Sequence, residues 1–211
     1  MKKMSAFKIF LKTLLFLVGL LLTLWIFMPW KQVGEAVLLS VSRRLPTSAS
    51  LAYSTVGKAG GGFVINNLEV KNLMGMLDAS FNTLTIVPDA AASVMGLAPT
   101  CRVAFTGAVI GDIAVTPLMK IPGVALGNGR VVISVNKQGI FLENLRSDGE
   151  LSINGSLLAD PSEMRIVWAD VALDVKSKEF EEKMSLLESI LPLHQEGPGR
   201  WFLRRSLGSE K

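Results

Sequence analysis

One uncharged stretch near the N-terminus constrains this chain more than any other feature. The eighteen residues from Thr13 to Trp30 contain no charged side chain. As a helix they would extend for about 27 Å, which is close to the thickness of the hydrocarbon core of a bilayer. We therefore predict a single transmembrane helix over residues 13–30. Its predicted anchoring side chains, which include the preceding lysine and two interfacial tryptophans, are Lys12, Leu14, Phe16, Leu20, Leu22, Trp25, Phe27 and Trp30.

Two alternatives to an anchor require other sequence features. A buried helix of a soluble protein would need apolar neighbours on all of its sides. A cleaved signal peptide would have an apolar region of about 7–15 residues followed by a small-x-small cleavage site. The stretch here is longer, and the sequence FMPWKQ at its end offers no such site. The pattern favours an uncleaved anchor.

Charge is distributed unevenly around the predicted span. Four of the 22 Lys and Arg residues lie in residues 1–30, which contain no acid, so residues 31–211 hold 18 basic and 18 acidic residues. Lysines clustered before a span mark the cytoplasmic side. We therefore expect a cytoplasmic stub over residues 1–12, a strand-rich domain outside the cytoplasm over residues 31–206 and a disordered tail over residues 207–211. A domain without net positive charge gives no electrostatic reason to expect nucleic acid as a partner.

Residues 31–45 predict a short helix that leaves the membrane and ends before Pro46. Val33, Val37 and Val41 recur at helical spacing, and this stripe would pack on the domain or lie on the membrane. Short runs with period-two alternation follow and indicate strands over residues 50–56, 63–70, 76–87 and 101–109. The alternation shifts within the third run, which predicts a β-bulge there.

The clearest strand pattern begins at Gly129. Its tight turns require antiparallel neighbours, and the predicted strands are residues 130–136, 139–146, 150–159 and 163–176. The alternation changes near Ala169, which predicts another bulge. A helix over residues 178–191 carries an apolar stripe that would lie on the sheet, formed by Phe180, Met184, Leu187 and Leu191. A last run is predicted to form a free edge strand for a partner, with the residues Arg200, Trp201, Phe202, Leu203 and Arg204.

These patterns together predict a mainly β (β+α) fold. A single N-terminal transmembrane helix would be followed by an antiparallel, curved β-meander domain with two short amphipathic helices. The exported part has about 180 residues, enough to bury a core without a disulfide.

The chain offers few residues for a catalytic or metal site. With one histidine, His194, and one cysteine, Cys101, it cannot assemble a His/Cys metal set, and it contains no G-x-S-x-G sequence. The glycines between residues 57 and 62 are not followed by Lys-Ser or Lys-Thr, so they do not predict a phosphate-binding loop. Asp170 and Asp174 share one face of a predicted strand, and their neighbours indicate a solvated face. Cys101 is expected to pack as a small apolar residue. We predict no enzyme, no cofactor and no metal.

Several segments together resemble the type II secretion system protein N family, which is itself similar to AsmA-like periplasmic proteins. They are the helix KQVGEAVLLSVSRRL, the strand INNLEVKNL, the run LSINGSLLADP followed by ADVALDVKSKEFEEKMSLLESILP, and the terminal GRWFLRRSLG. The resemblance implies an accessory part of an envelope machine that exports folded proteins across the outer membrane. It also implies an inner-membrane anchor, a periplasmic domain and no catalysis. The family supplies no site motif, so no functional residue is carried over.

Two functional hypotheses follow. In the first, the exported sheet binds other inner-membrane or periplasmic secretion proteins through edge strands or exposed faces. In the second, an AsmA-like sheet handles lipid in an apolar trough lined by Val131, Ile133, Val135, Ile140, Leu142, Leu151 and Ile153. The sequence favours the first, because the helix over residues 178–191 is expected to cover these side chains and make them ordinary core.

Overall fold

The computed structural model describes residues 3–73, 77–116, 119–160, 165–188 and 193–205. Its helices are α1 (Lys3–Phe27), α2 (Trp30–Arg44), α3 (Ala90–Gly96) and α4 (Lys178–Glu188). Its strands are β1 (Ser50–Ala52), β2 (Thr55–Ala59), β3 (Gly62–Leu73), β4 (Leu77–Pro88), β5 (Thr100–Ile110), β6 (Ile113–Thr116), β7 (Met119–Ile121), β8 (Val124–Asn136), β9 (Gly139–Ser147), β10 (Leu151–Asp160), β11 (Arg165–Val175), β12 (Leu193–Gly197) and β13 (Arg200–Arg205).

Within the described residues, eleven strands form one antiparallel sheet. Its order is β1-β3-β4-β5-β8-β9-β10-β11-β13-β12, and β2 also pairs with β3. β6 and β7 form a separate hairpin between β5 and β8. The prediction of a mainly antiparallel β domain with a few helices is confirmed.

The meander predicted from Gly129 is present as β8 to β11, each strand paired with the next. Its first turn is tight because the Asn136 side-chain oxygen accepts hydrogen bonds from the backbone N–H groups of Gln138 and Gly139, at 2.8 and 3.1 Å. An Asn side chain that binds its own turn in this way fixes the register of a hairpin. The second turn is fixed by Asp148, whose carboxylate accepts from the backbone N–H of Asn128 at 2.7 Å.

Of the two predicted bulges, the structure contains the second. In β4 the pairing with β3 and with β5 is interrupted at Asn82 but keeps the same register on both sides, so the strand has no bulge at that place. Gly107, opposite Asn82, has a φ of +56°, and a side chain there would collide with Asn82, so this position requires glycine. In the β10–β11 pair the register shifts at Leu158 and Ala159, which leaves Val167 as the extra residue, two positions before the predicted Ala169.

The N-terminal helices differ from the predicted arrangement. α1 ends at Phe27 and α2 begins at Trp30, because Pro29 at the start of α2 interrupts the helical hydrogen bonds. In the described part of the chain, no single helix is long and apolar enough by itself to cross a membrane. Leu11–Phe27 and Trp30–Arg44, which meet at 71°, satisfy the criteria of length and composition only as a pair. The single span over residues 13–30 is therefore not confirmed.

Among the described residues, two apolar cores lie toward opposite edges of the sheet. The first, which we call the anchor-side core, joins α2 to β2 and β3 and consists of Trp30, Leu38, Val56, Phe63, Ile65 and Leu68. The second, which we call the C-terminal core, joins α4, β7 and the start of β8 to β10–β13 and consists of Ile121, Val124, Leu151, Ala169, Val171, Val175, Phe180, Met184, Leu193, Trp201 and Leu203. Phe180 and Met184 of the predicted α4 stripe are buried as expected, whereas Leu191 and the side chain of Leu187 lie outside the described residues.

Of the predicted valine stripe on the helix after residue 30, only Val33 packs against the anchor-side core. α2 buries Trp30, Gly34 and Leu38, whereas Val37 and Val41 are 41% and 43% exposed. The reason is Gly34: its missing side chain lets the helix backbone approach the sheet more closely than the valine face would. A Cβ built there would lie 2.8 Å from carbons of both Val56 and Phe63.

Candidate functional site

The end of α1 is joined to the sheet by several side-chain contacts. The rings of Trp25 and Trp30 meet edge to face with centroids 5.0 Å apart, and Trp30 is only 2% exposed. Gly61, at the tip of the β2–β3 hairpin, lies directly against Trp25, since a Cβ built there would be 3.1 Å from the indole nitrogen. Lys58 donates a hydrogen bond of 3.2 Å to the carbonyl oxygen of Ile26. These contacts fix the C-terminal end of α1 to the sheet.

The anchoring residues predicted from the sequence divide into two groups. Trp25 is half-buried and Trp30 is buried in the anchor-side core, so Trp30 is a packing residue of α2 and not part of α1. The others point away from the sheet: Lys12, Leu14, Phe16, Leu20 and Phe27 are exposed, and the side chain of Leu22 lies outside the described residues. Phe16 and Phe27 are 72% and 79% exposed. An exposed apolar surface of this kind is typical of a contact with a membrane or with another protein.

The prediction that residues 200–205 form the free edge of the sheet is wrong. β13 pairs with β11 on one side and with β12 on the other. Trp201 and Leu203 are buried in the C-terminal core, and Phe202 lies under the Arg204 guanidinium at 4.6 Å. Arg200 and Arg204 form ion pairs with Asp174 and Asp170 at 3.2 and 3.5 Å. The two aspartates therefore lie on a solvated, ion-paired face, as predicted.

The outer strand on this side is β12, which was not among the strands predicted from the sequence. Leu193 points into the core, whereas His194, Gln195 and Glu196 are exposed. In the described part of the sheet, β12 pairs only with β13. The other backbone edge of β12 is therefore free to pair with an incoming strand.

The apolar face of the middle strands is covered less than predicted. α2 packs on β2 and β3, and α4 packs on β11 and β12. Between them, Ile133, Ile140 and Leu142 are half-buried and Val135 is 48% exposed. Of the predicted trough residues, Leu151 belongs to the C-terminal core and Ile153 packs against it, and Val131 is buried within the sheet. α4 was predicted to cover this whole face, but it covers only the part formed by the C-terminal strands.

The opposite face of the middle strands carries a basic groove. Arg130 and Arg146 are directly opposite each other on β8 and β9, and Arg102 of β5 lies on the same face. Together with Asn144, Thr85 and their neighbours they line a groove of about 650 Å³. Arg102 is paired with Asp89 at 3.1 Å, and in the described residues Arg130 and Arg146 have no acidic partner. The sequence pattern does not predict this groove, because the three arginines are far apart in the chain.

Groups able to support chemistry remain scattered. No cluster of three or more His, Cys, Asp or Glu residues within the described residues is arranged to hold a metal ion. His194 is exposed on β12. Cys101 is half-buried on β5, and burial raises the pKa of its thiol above the ordinary value. A raised thiol pKa lowers the fraction of the reactive thiolate at neutral pH.

Comparison with known proteins adds one finding. The family described as type II secretion system protein GspN-like, Synergistales, matches residues 8–205. No curated protein matches the chain, and no solved structure matches it. The family suggests a component of a secretion system, with other components of that system as partners. Because the match covers almost the whole chain, from α1 to the end of β13, this protein belongs to the GspN-like family of type II secretion proteins.

Proposed function

We propose that this protein is a non-catalytic component of a type II secretion system that is anchored in the inner membrane and acts in the periplasm through protein–protein contacts. The observation that carries the proposal is the junction at Trp25, Trp30 and Gly61. It joins α1, which is apolar after Lys12, to the antiparallel sheet, which has an open edge within the described residues, in a chain whose family belongs to a secretion system.

The proposal of a membrane anchor is based on α1. Its exposed face is apolar over several turns, and the lysines of the chain's first 30 residues all precede Thr13. Basic residues are retained on the cytoplasmic side of a span, so the sheet would lie in the periplasm. α2 turns away from α1 by 71° and would leave the membrane toward the sheet. Its exposed Val37 and Val41 would then face the membrane surface, the alternative that the sequence pattern left open.

The contact surface in this proposal is β12. Its free backbone edge offers hydrogen-bond donors and acceptors to a strand of a partner, and its exposed side chains are polar. Anchoring confines the sheet to the membrane plane, which raises its effective concentration toward other anchored subunits. Weak interfaces can then support assembly.

Site-specific photocrosslinking in cells tests this contact. A photoreactive residue at His194 or at Glu196 lies on the β12 edge, and one at Asn154 lies exposed in the middle of β10 as the matched control. We expect crosslinks to secretion-apparatus subunits from the two edge positions and none from Asn154. Equal products from all three positions, or none from the edge, would contradict the proposed contact.

The AsmA-like alternative is a lipid-handling protein, and the half-covered apolar strip at Ile133, Val135, Ile140 and Leu142 favours it. A photoreactive residue at Val135 would then form lipid adducts that are absent at Asn154. Protein adducts alone at Val135, or no adduct, would leave protein contact as the better account.

A further inference from the structure

A short helix on the sheet exposes apolar side chains that nothing in the described chain covers. In and just after α3, Val94, Met95 and Leu97 are 74%, 86% and 93% exposed. No other large apolar side chain described after residue 30 is exposed to this extent. Exposed apolar groups clustered within four consecutive residues are typical of a contact surface.

The segment that carries these side chains is held rigidly. Asp89 caps α3 by accepting a hydrogen bond of 3.0 Å from the backbone N–H of Ala92, and it pairs with Arg102. The Ser93 hydroxyl donates to the Asp89 carbonyl at 2.6 Å and accepts from the Thr100 N–H at 2.9 Å. The helix therefore presents its apolar residues in a fixed direction.

Leu97 adds a second sign of constraint. It has a φ of +50°, in the left-handed region that residues other than glycine rarely adopt. The next N–H, of Ala98, is bonded to the Ser93 carbonyl at 3.2 Å and holds this conformation in place. A strained backbone that displays a leucine to solvent indicates a use for that side chain.

A series of contacts places α3 at the same end of the sheet as the end of α1. Trp25 and Ile26 contact Gly61 and Lys58 at the β2–β3 turn. The next residue, Gly62, lies against the backbone of Ile86 and Val87 on β4. β4 ends at Pro88, and Asp89 begins α3. The point where α1 reaches the sheet and the start of α3 are thus separated by one strand pair.

We infer that α3 is a second membrane contact, in which Val94, Met95 and Leu97 enter the periplasmic surface of the bilayer that α1 crosses. The inference rests on the anchor in the proposed function, because that anchor brings this end of the sheet to the membrane. The occupant is a lipid surface, since the neighbouring exposed apolar surface is that of α1 itself. Together, α1 and α3 would fix the tilt of the sheet relative to the membrane.

The test uses the full chain, reconstituted in lipid bilayers, with Cys101→Ala removing the native thiol. An environment-sensitive fluorophore is attached to Met95→Cys, and lipids carrying a quencher are added to the bilayer. Glu179→Cys on α4 is the matched solvent-exposed control, because α4 begins at the opposite end of the sheet. Leu15→Cys reports separately on α1.

We expect quenching by the modified lipids to be several-fold stronger at position 95 than at position 179. Equal quenching at these two positions would overturn the inference. So would a blue-shifted emission at position 95 without lipid quenching, which would show that a protein covers α3. The result at position 15 decides the anchor independently: weak lipid quenching there would overturn the proposed span, whatever position 95 reports.

Discussion

At the scale of single residues, Cys101 is the group whose titration the fold alters most clearly. It faces Ile133 of β8 and Pro88 of β4, and burial raises the pKa of its thiol. Because the folded-state pKa lies above the unfolded value, the thiol contributes stability that is fully present below the unfolded pKa. That contribution is lost as the pH rises through the folded pKa, in the alkaline range.

We therefore expect iodoacetamide to modify Cys101 several-fold more slowly in the folded chain than in the denatured chain at neutral pH. Cys101→Ala should change the free energy of unfolding by about 1 kcal/mol or less and leave secretion intact. Mass spectrometry of the alkylated protein measures the first, and a secretion assay at matched protein levels measures the second. Lost secretion in a stable Cys101→Ala variant would show that the thiol has a function.

Arg130 and Arg146 form a cross-strand pair of like charges on an exposed face. Like charges directly opposite each other destabilise a sheet, whereas opposite charges contribute about 0.2–1 kcal/mol. Arg146→Glu should therefore raise the thermal midpoint at low salt, and the gain should shrink at 1 M salt because of screening.

Arg204→Glu is the matched control for this substitution. Arg204 already has acidic partners, Asp170 and Glu196, both at 3.5 Å. The same charge reversal there should lower the thermal midpoint. If both variants are destabilised equally at low salt, the repulsion between Arg130 and Arg146 is not significant.

At the scale of secondary-structure elements, local sequence patterns predicted where the strands lie better than they predicted which strands pair with each other. The meander from β8 to β11 follows from tight turns such as Asn136–Gly139, because strands joined by so short a turn can pair only in the antiparallel direction. β12 was missed because His194, Gln195 and Glu196 give no apolar alternation, although the strand is held by β13. Long-range pairing, and not local propensity, forms this strand.

The interaction surfaces were harder to predict than the strands. The basic groove combines three strands, and the exposed face of α3 depends on what the rest of the sheet leaves uncovered. The face of α2 was missed for a different reason. Val37 and Val41 form the more obvious stripe, but a helix packs most closely along its smallest side chain, Gly34.

Gly34→Val tests the role of close packing between α2 and the sheet. The new side chain would collide with Val56 and Phe63, and overpacking of this kind costs about 1–3 kcal/mol. We expect the variant to be cleaved faster by protease at the start of the sheet domain. Gly19→Ala in α1 is the control, because a Cβ there meets no atom within 4 Å. Equal protease resistance of both variants would contradict the packing described for α2.

At the scale of the whole molecule, the two cores hold opposite edges of one sheet, and part of its middle strands, such as Val135, is exposed between them. The anchor-side core is continuous with the end of α1 through Trp25. The account therefore predicts that the sheet has a defined position relative to the membrane and does not hang from a flexible linker.

The predicted orientation places the C-terminus in the periplasm. Alkaline phosphatase fused after Lys211 should be active, because the enzyme requires export to fold. The same enzyme fused after Lys12, before the apolar stretch, should be inactive. An inactive fusion at Lys211, with a fluorescent reporter bright in its place, would reverse the topology.

The most direct test of the central claim is a measurement of protein export in cells that lack this chain. The account predicts that substrates of the type II system accumulate in the periplasm of these cells, and that the full chain restores their appearance in the medium. Unchanged export of every substrate in the absence of the chain would contradict a role in secretion.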